Sequence, residues 1–129
     1  MPNRARIVRV VALAAGVLLA VIGVRFLFWP LEAQKTFGLG KGDVGTDLHS
    51  IIGLRDLWLA GLVLALAWGR EQRALFWWFA FAAAVCFGDA AIVAAALGRL
   101  EYIAFHVGSG VACAAAAGLL WRRGNGSRS

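Results

Sequence analysis

Polar sequence is what this chain has least of. Only 16% of its 129 residues are charged, and they stand in short patches between long apolar runs. Hydrophobic residues make up 61%, and mean hydropathy is +0.75. A soluble domain carries about 45–50% apolar residues, so a water-soluble globular fold is excluded. The two cysteines, Cys86 and Cys113, cannot build a disulfide framework and lack CxxC spacing. They read as small apolar filler, although equal depth on adjacent spans would let them meet. The two histidines, His49 and His106, are not spaced as HxxxH, so no metal site is expected. The apolar runs do not alternate in polarity, which argues against a β-barrel. No Gly-Lys-Ser/Thr follows the glycines of "GLGKGDVG", so the stretch reads as a turn and not a nucleotide loop. No cofactor is expected.

What is present is four apolar segments, at 7–29, 48–68, 74–97 and 102–121. Each approaches the ~20 residues that cross ~30 Å of hydrocarbon as a helix. Backbone polar groups in lipid must pair within their own segment, so these segments are read as helices. The expected fold is an all-α integral membrane four-helix bundle, one domain over 1–129, with an outer loop at 30–47 and a disordered tail at 124–129. "MPNRARIVRV" resembles the charged start of a secretory signal. No small-x-small cleavage site follows, so it reads as an uncleaved first span. Pro30 ends that span, "LEAQKTF" suits a short surface helix, and Thr46 or Asp47 is placed to cap the second span.

The sequence pI near 10.7 admits nucleic acid, but the positions of the basic residues fit a membrane better. Arg4, Arg6, Arg9, Arg70, Arg73, Arg122, Arg123 and Arg128 fall on one side of the spans, and Lys35, Lys41 and Arg99 on the other. The positive-inside rule then puts both termini in the cytoplasm, in a bacterial inner membrane, with the lipid bilayer as partner and no nucleic acid. Trp68, Trp77, Trp78 and Trp121 mark inner boundaries, and Trp29 and Tyr102 outer ones. Of six tryptophans only Trp58 lies well inside a span. The third and fourth spans are rich in Ala and Gly, which predicts a tight hairpin between them.

Each span also carries a polar group in its outer half. Arg25 lies ~6 Å below the boundary, Arg55 and Asp56 ~11–13 Å, Asp89 ~12 Å, and His106 and Ser109 ~6–11 Å. His49 sits at the mouth. An intramembrane charge costs roughly 3 kcal/mol, so such residues face the bundle and find partners. Arg55 and Asp56 are rotated ~100° apart, which suggests that they serve different neighbours. These residues define an outward-open pocket. Asp89, Asp56 and His106 are its acid–base candidates, and Arg55, His49, Arg25, Trp58, Ser109 and Tyr102 its substrate contacts.

"GLRDLWLAG" (53–61), with "FGDAA" and "FHVGSG", resembles small bacterial four-helix membrane proteins related to DoxX. That resemblance implies a four-helix bundle and, for some relatives, quinone-linked or thiol redox chemistry. The reading from the residues is a membrane enzyme doing isomerisation or cyclisation on a lipid-, quinone- or terpenoid-like hydrophobic small molecule. The alternatives are a quinone-linked oxidoreductase, a non-enzymatic membrane subunit or binding module, and, third, a small transporter. A homo-oligomer or a larger membrane complex stays open.

Overall fold

The computed structural model describes residues 3–38, 46–96 and 98–126, with side chains at 46–47 and 122–126 left aside. The glycine-rich turn at 39–45 and the cap expected from Thr46 or Asp47 lie outside the described residues. Five helices follow one another: α1 (Arg4–Phe28), α2 (Pro30–Phe37), α3 (Thr46–Gly69), α4 (Gln72–Ala95) and α5 (Leu100–Gly126). No strand occurs among the described residues. α5 continues to Gly126, and 127–129 lie outside the described residues.

Four of the helices are long and apolar enough to cross a membrane, with mean hydropathy of 1.7 to 2.6 in their most apolar stretches. In those stretches only 22–28% of residues are buried. Val10, Val17, Phe81, Val85 and Val111 are among the large apolar side chains exposed on the outside. A surface this apolar is matched by lipid and not by water. The protein is an all-α, multi-pass membrane bundle.

Local signals account for the breaks. Asn3 caps α1, its side-chain oxygen accepting from the Ala5 N–H at 3.2 Å. Pro30 has no N–H to donate and disfavours helical geometry in the residue before it. Trp29 accordingly leaves the helix (φ −134°, ψ 61°), and Pro30 opens α2 as its first residue. Gly38 ends α2 at φ 94°, a left-handed conformation natural to glycine. Between α3 and α4 that conformation falls on Arg70 (φ 57°), while the Glu71 N–H closes a six-residue turn onto the Leu66 carbonyl at 3.0 Å. A side chain there costs about 1 kcal/mol relative to glycine. Arg70→Gly is therefore expected to raise the melting temperature in detergent by a few degrees.

α1 packs along α3 and α4 along α5, and the α3–α4 and α1–α5 seams are much thinner. The α1–α3 crossing is set by two glycines. A Cβ on Gly23 would lie 2.8 Å from the Gly53 carbonyl oxygen, and one on Gly53 would lie 2.8 Å from that of Gly23. The α4–α5 hairpin is built instead on buried alanines, among them Ala83, Ala90, Ala116 and Ala117. Of the glycines in these two spans, Gly110 packs closely on the Phe87 ring, 3.0 Å from where its Cβ would lie, whereas Gly88, Gly108 and Gly118 face open space.

The two ends of the bundle differ. At the arginine-rich end Val8, Ala12, Val63, Ala67, Leu75, Phe79 and Leu120 form an apolar plug. The buried polar side chains Gln34, His49, Asp56 and His106 all belong to the α2 half. The buried interior of one half is apolar, and the buried polar side chains gather in the other.

Candidate functional site

α2 is more than a surface helix. Its Ala33 and Gln34 are buried at 4% and 5% exposure, against the ends of the long helices. Both histidines of the chain latch it. His49, on α3, pairs its Nε2 with Gln34 Oε1 at 2.9 Å. His106, on α5, donates from Nε2 to the Phe37 carbonyl at 3.2 Å. A carbonyl oxygen can only accept, so Nε2 of His106 carries the proton. In that tautomer the ring's lone pair is on Nδ1.

Aromatic contacts fill in behind the latches. The Phe26 ring stacks on His49 at 6.0 Å and meets Phe37 edge-on at 6.1 Å. Phe37 in turn lies 4.5 Å from the His106 ring. At the end of α1, Arg25 Nη2 donates to Thr36 Oγ1 at 3.0 Å, and the Thr36 hydroxyl donates to the Glu32 carbonyl at 2.9 Å.

Under α2 lies a cavity of about 410 Å³ between α1 and α5, the seam where the bundle is thinly closed. Leu18, Val21, Ile22 and Phe105 form its apolar walls, and Phe26 and Phe37 line it beside α2. Arg25, Thr36, Glu101, Tyr102 and His106 supply its polar contacts. Leu18, Val21 and Phe105 are also 43%, 52% and 48% exposed on the outer surface. The cavity therefore opens sideways, toward lipid.

The expected site residues separate into two groups. Arg25, Tyr102 and His106 line the cavity; Asp56, Asp89, Arg55, His49, Ser109 and Trp58 do not. Asp56 is buried at 6% exposure on α3, and half-buried Asp89 faces it from α4. Asp89 lies within electrostatic reach of Asp56, Arg55 and His106, and of these four only His106 lines the cavity. Arg55 and Asp56 do pair with each other, at 3.4 Å, against the expectation from their rotation around the helix. The long guanidinium side chain, 56% exposed, curls back across the 100° that separates their Cβ atoms. Trp58 points outward at 66% exposure and belongs to the lipid-facing surface. Ser109 is half-buried on α5 and outside the cavity.

Several contacts lay beyond the reading of the sequence: Gln34, Thr36 and Phe37 on α2, Phe26 on α1, and Glu101 and Phe105 on α5. The α2 residues sat in a segment read as surface, and only its buried face reveals their role. Cys86 and Cys113 are free and half-buried, close to one another across α4 and α5. Among the described residues no three His, Cys, Asp or Glu side chains gather as metal ligands.

A family described as "Domain of unknown function (DUF4267)" matches residues 16–120. The chain belongs to that family. The match to DUF4267 takes in every residue of the cavity and both histidine latches, and leaves out the first three turns or so of α1. No curated protein and no solved structure matches the chain.

Proposed function

We propose that the protein is an enzyme of the bacterial inner membrane that takes a hydrophobic, head-bearing small molecule sideways from the lipid and performs acid–base chemistry on it at His106. The observation that carries this reading is the laterally open cavity, with a buried histidine on its wall and Asp89 within electrostatic reach of that histidine. A lipid-, quinone- or terpenoid-like ligand would lay its chain along Leu18, Val21, Ile22 and Phe105. Its polar head would meet Arg25, Thr36, Glu101 and Tyr102. Kinship with DoxX-related proteins belongs to the same proposal and rests on the "GLRD" stretch.

In this reading His106 Nδ1 takes or returns a proton, and the Phe37 carbonyl fixes the tautomer. Asp89 stabilises the imidazolium that forms, which makes it a positioning residue and not one that touches the ligand. Isomerisation by proton abstraction and return needs no other reactant.

A second reading is favoured by a specific observation. Neither aspartate lines the cavity, and both histidines are engaged in holding α2. A binding module that presents or stores the same ligand would look like this. The two readings share a ligand and differ in whether protons move.

Filling the mouth of the cavity tests the shared part. Native mass spectrometry of the protein from mild detergent is expected to show an apolar small-molecule adduct on the wild type. Leu18→Trp, which crowds the opening, is expected to lose at least nine-tenths of that adduct. Val10→Trp, on the exposed face of α1 away from the cavity, is expected to retain it. Equal adducts on all three proteins, or none on the wild type, would sink the ligand pocket.

A further inference from the structure

At the opposite end of the bundle a second cavity, of about 300 Å³, lies where α1 meets the α3–α4 turn and α5. Arg6 and Arg9 stand one turn apart on α1 and line it together with Arg70. None of the three has an ion-pair partner among the described residues. Glu71, the carboxylate next to Arg70 in sequence, is exposed and forms no ion pair with them among the described residues. Gln72, the first residue of α4, also lines the cavity. That helix begins without a side-chain cap, and Gln72 puts its start on the cavity wall. Val8 and Leu120 supply an apolar wall.

Orientation in the membrane requires only that arginines be plentiful at this end, anywhere around it. It does not require three of them around one hollow, where they repel each other unless an anion lies between them. From this convergence we infer that the arginine-end cavity is a phosphate site, filled by the headgroup of an anionic phospholipid. Guanidinium groups bind phosphate oxygens through paired N–H donors, and a helix start favours negative charge. Basic pockets between transmembrane helices hold lipid headgroups in this way. Val8 and Leu120 themselves are buried, and their neighbours in sequence, Ile7 and Trp121, are exposed, which carries the apolar wall to the lipid-facing surface where acyl chains of the same molecule would lie. A free phosphate gains nothing from that wall.

The test is native mass spectrometry of the full chain titrated with phosphatidylglycerol or phosphatidylcholine of the same acyl chains. Phosphatidylglycerol is expected to bind at least tenfold more tightly. Arg9→Gln is expected to weaken it about tenfold, the loss of one charged hydrogen-bond pair. Arg70→Gly is expected to weaken it similarly while raising the melting temperature, so a folding defect would not imitate the result. Arg4→Gln, which removes an equal charge outside the cavity, is expected to leave binding unchanged. Equal affinity for the two lipids would overturn the proposal, and so would an Arg4→Gln effect as large as that of Arg9→Gln, which would mean diffuse charge and no site. Inorganic phosphate at millimolar concentration is expected not to displace the lipid. Displacement by it would assign the same cavity to a free phosphate and overturn the lipid assignment.

Discussion

Gly53→Ala is expected to remove about 2 kcal/mol or more of stability, a larger loss than for any other glycine-to-alanine change in the spans except that at Gly23. The new methyl would sit 2.8 Å from the Gly23 carbonyl oxygen, which is backbone and cannot swing away as a side-chain tip would. Relief requires α1 and α3 to move apart along the most extensive of the contacts that α1 makes. Overpacking of this kind costs about 1–3 kcal/mol before any loss of neighbouring contacts is counted. Gly61→Ala on the same helix is the control, because nothing lies within 4 Å of the atom it adds. Thermal unfolding in detergent, read by retention of the monodisperse peak, should separate the two by many degrees. Gly23→Ala should behave like Gly53→Ala. The double variant should cost less than the sum, since the first methyl has already opened the gap that the second needs. A Gly53→Ala protein as stable as Gly61→Ala would mean that the crossing is not where the helices touch.

The crossing also shows what the sequence could and could not convey. The spans were legible: 7–29, 48–68, 74–97 and 102–121 against helices that begin and end within a few residues of them, except where α5 runs on to Gly126. Bilayer thickness imposes a long uninterrupted apolar run, and no longer-range information is needed to see it. The polar layer was legible for a related reason, since a charge such as Asp56 or Asp89 within such a run must be accommodated somewhere. The tight hairpin expected of the third and fourth spans is there, α4 against α5, but other contacts set by packing were not legible. Alanine and glycine are densest in the third and fourth spans, whereas the closest backbone approach uses one glycine each from the first and second. Helical-wheel angles separated Arg55 from Asp56, yet the reach of a guanidinium exceeds the distance that angle implies. "LEAQKTF" suits a short surface helix, which leaves open that α2 lies down on the bundle and is latched by both histidines. Which polar residues face the cavity and which stand behind it depends on that placement, so Arg25, Tyr102 and His106 could not be told from Asp56, Asp89 and His49 beforehand.

His106→Gln is the substitution expected to separate chemistry from binding. A glutamine amide can still donate to the Phe37 carbonyl, so the latch on α2 and the wall of the cavity should survive. What it lacks is a nitrogen that takes up and releases a proton near neutral pH. With the adduct identified, the protein is incubated in deuterated water and the bound molecule is weighed. Wild-type protein is expected to wash deuterium into it, because an acid–base isomerase exchanges the proton it abstracts with solvent. His106→Gln is expected to retain the adduct and to slow that exchange by a hundredfold or more, the usual worth of a positioned general base. Asp89→Asn should give a smaller loss, since it acts on His106 and touches no ligand, and its effect should vanish when His106 is already glutamine. His49→Gln, which preserves the other latch and stands outside the cavity, should leave exchange near the wild-type rate. Exchange that is absent from the wild type, or that persists undiminished without His106, would leave a pocket that binds and performs no proton chemistry. The two latches would then be the whole reason for the histidines, and the aspartates would serve to hold the helices in register.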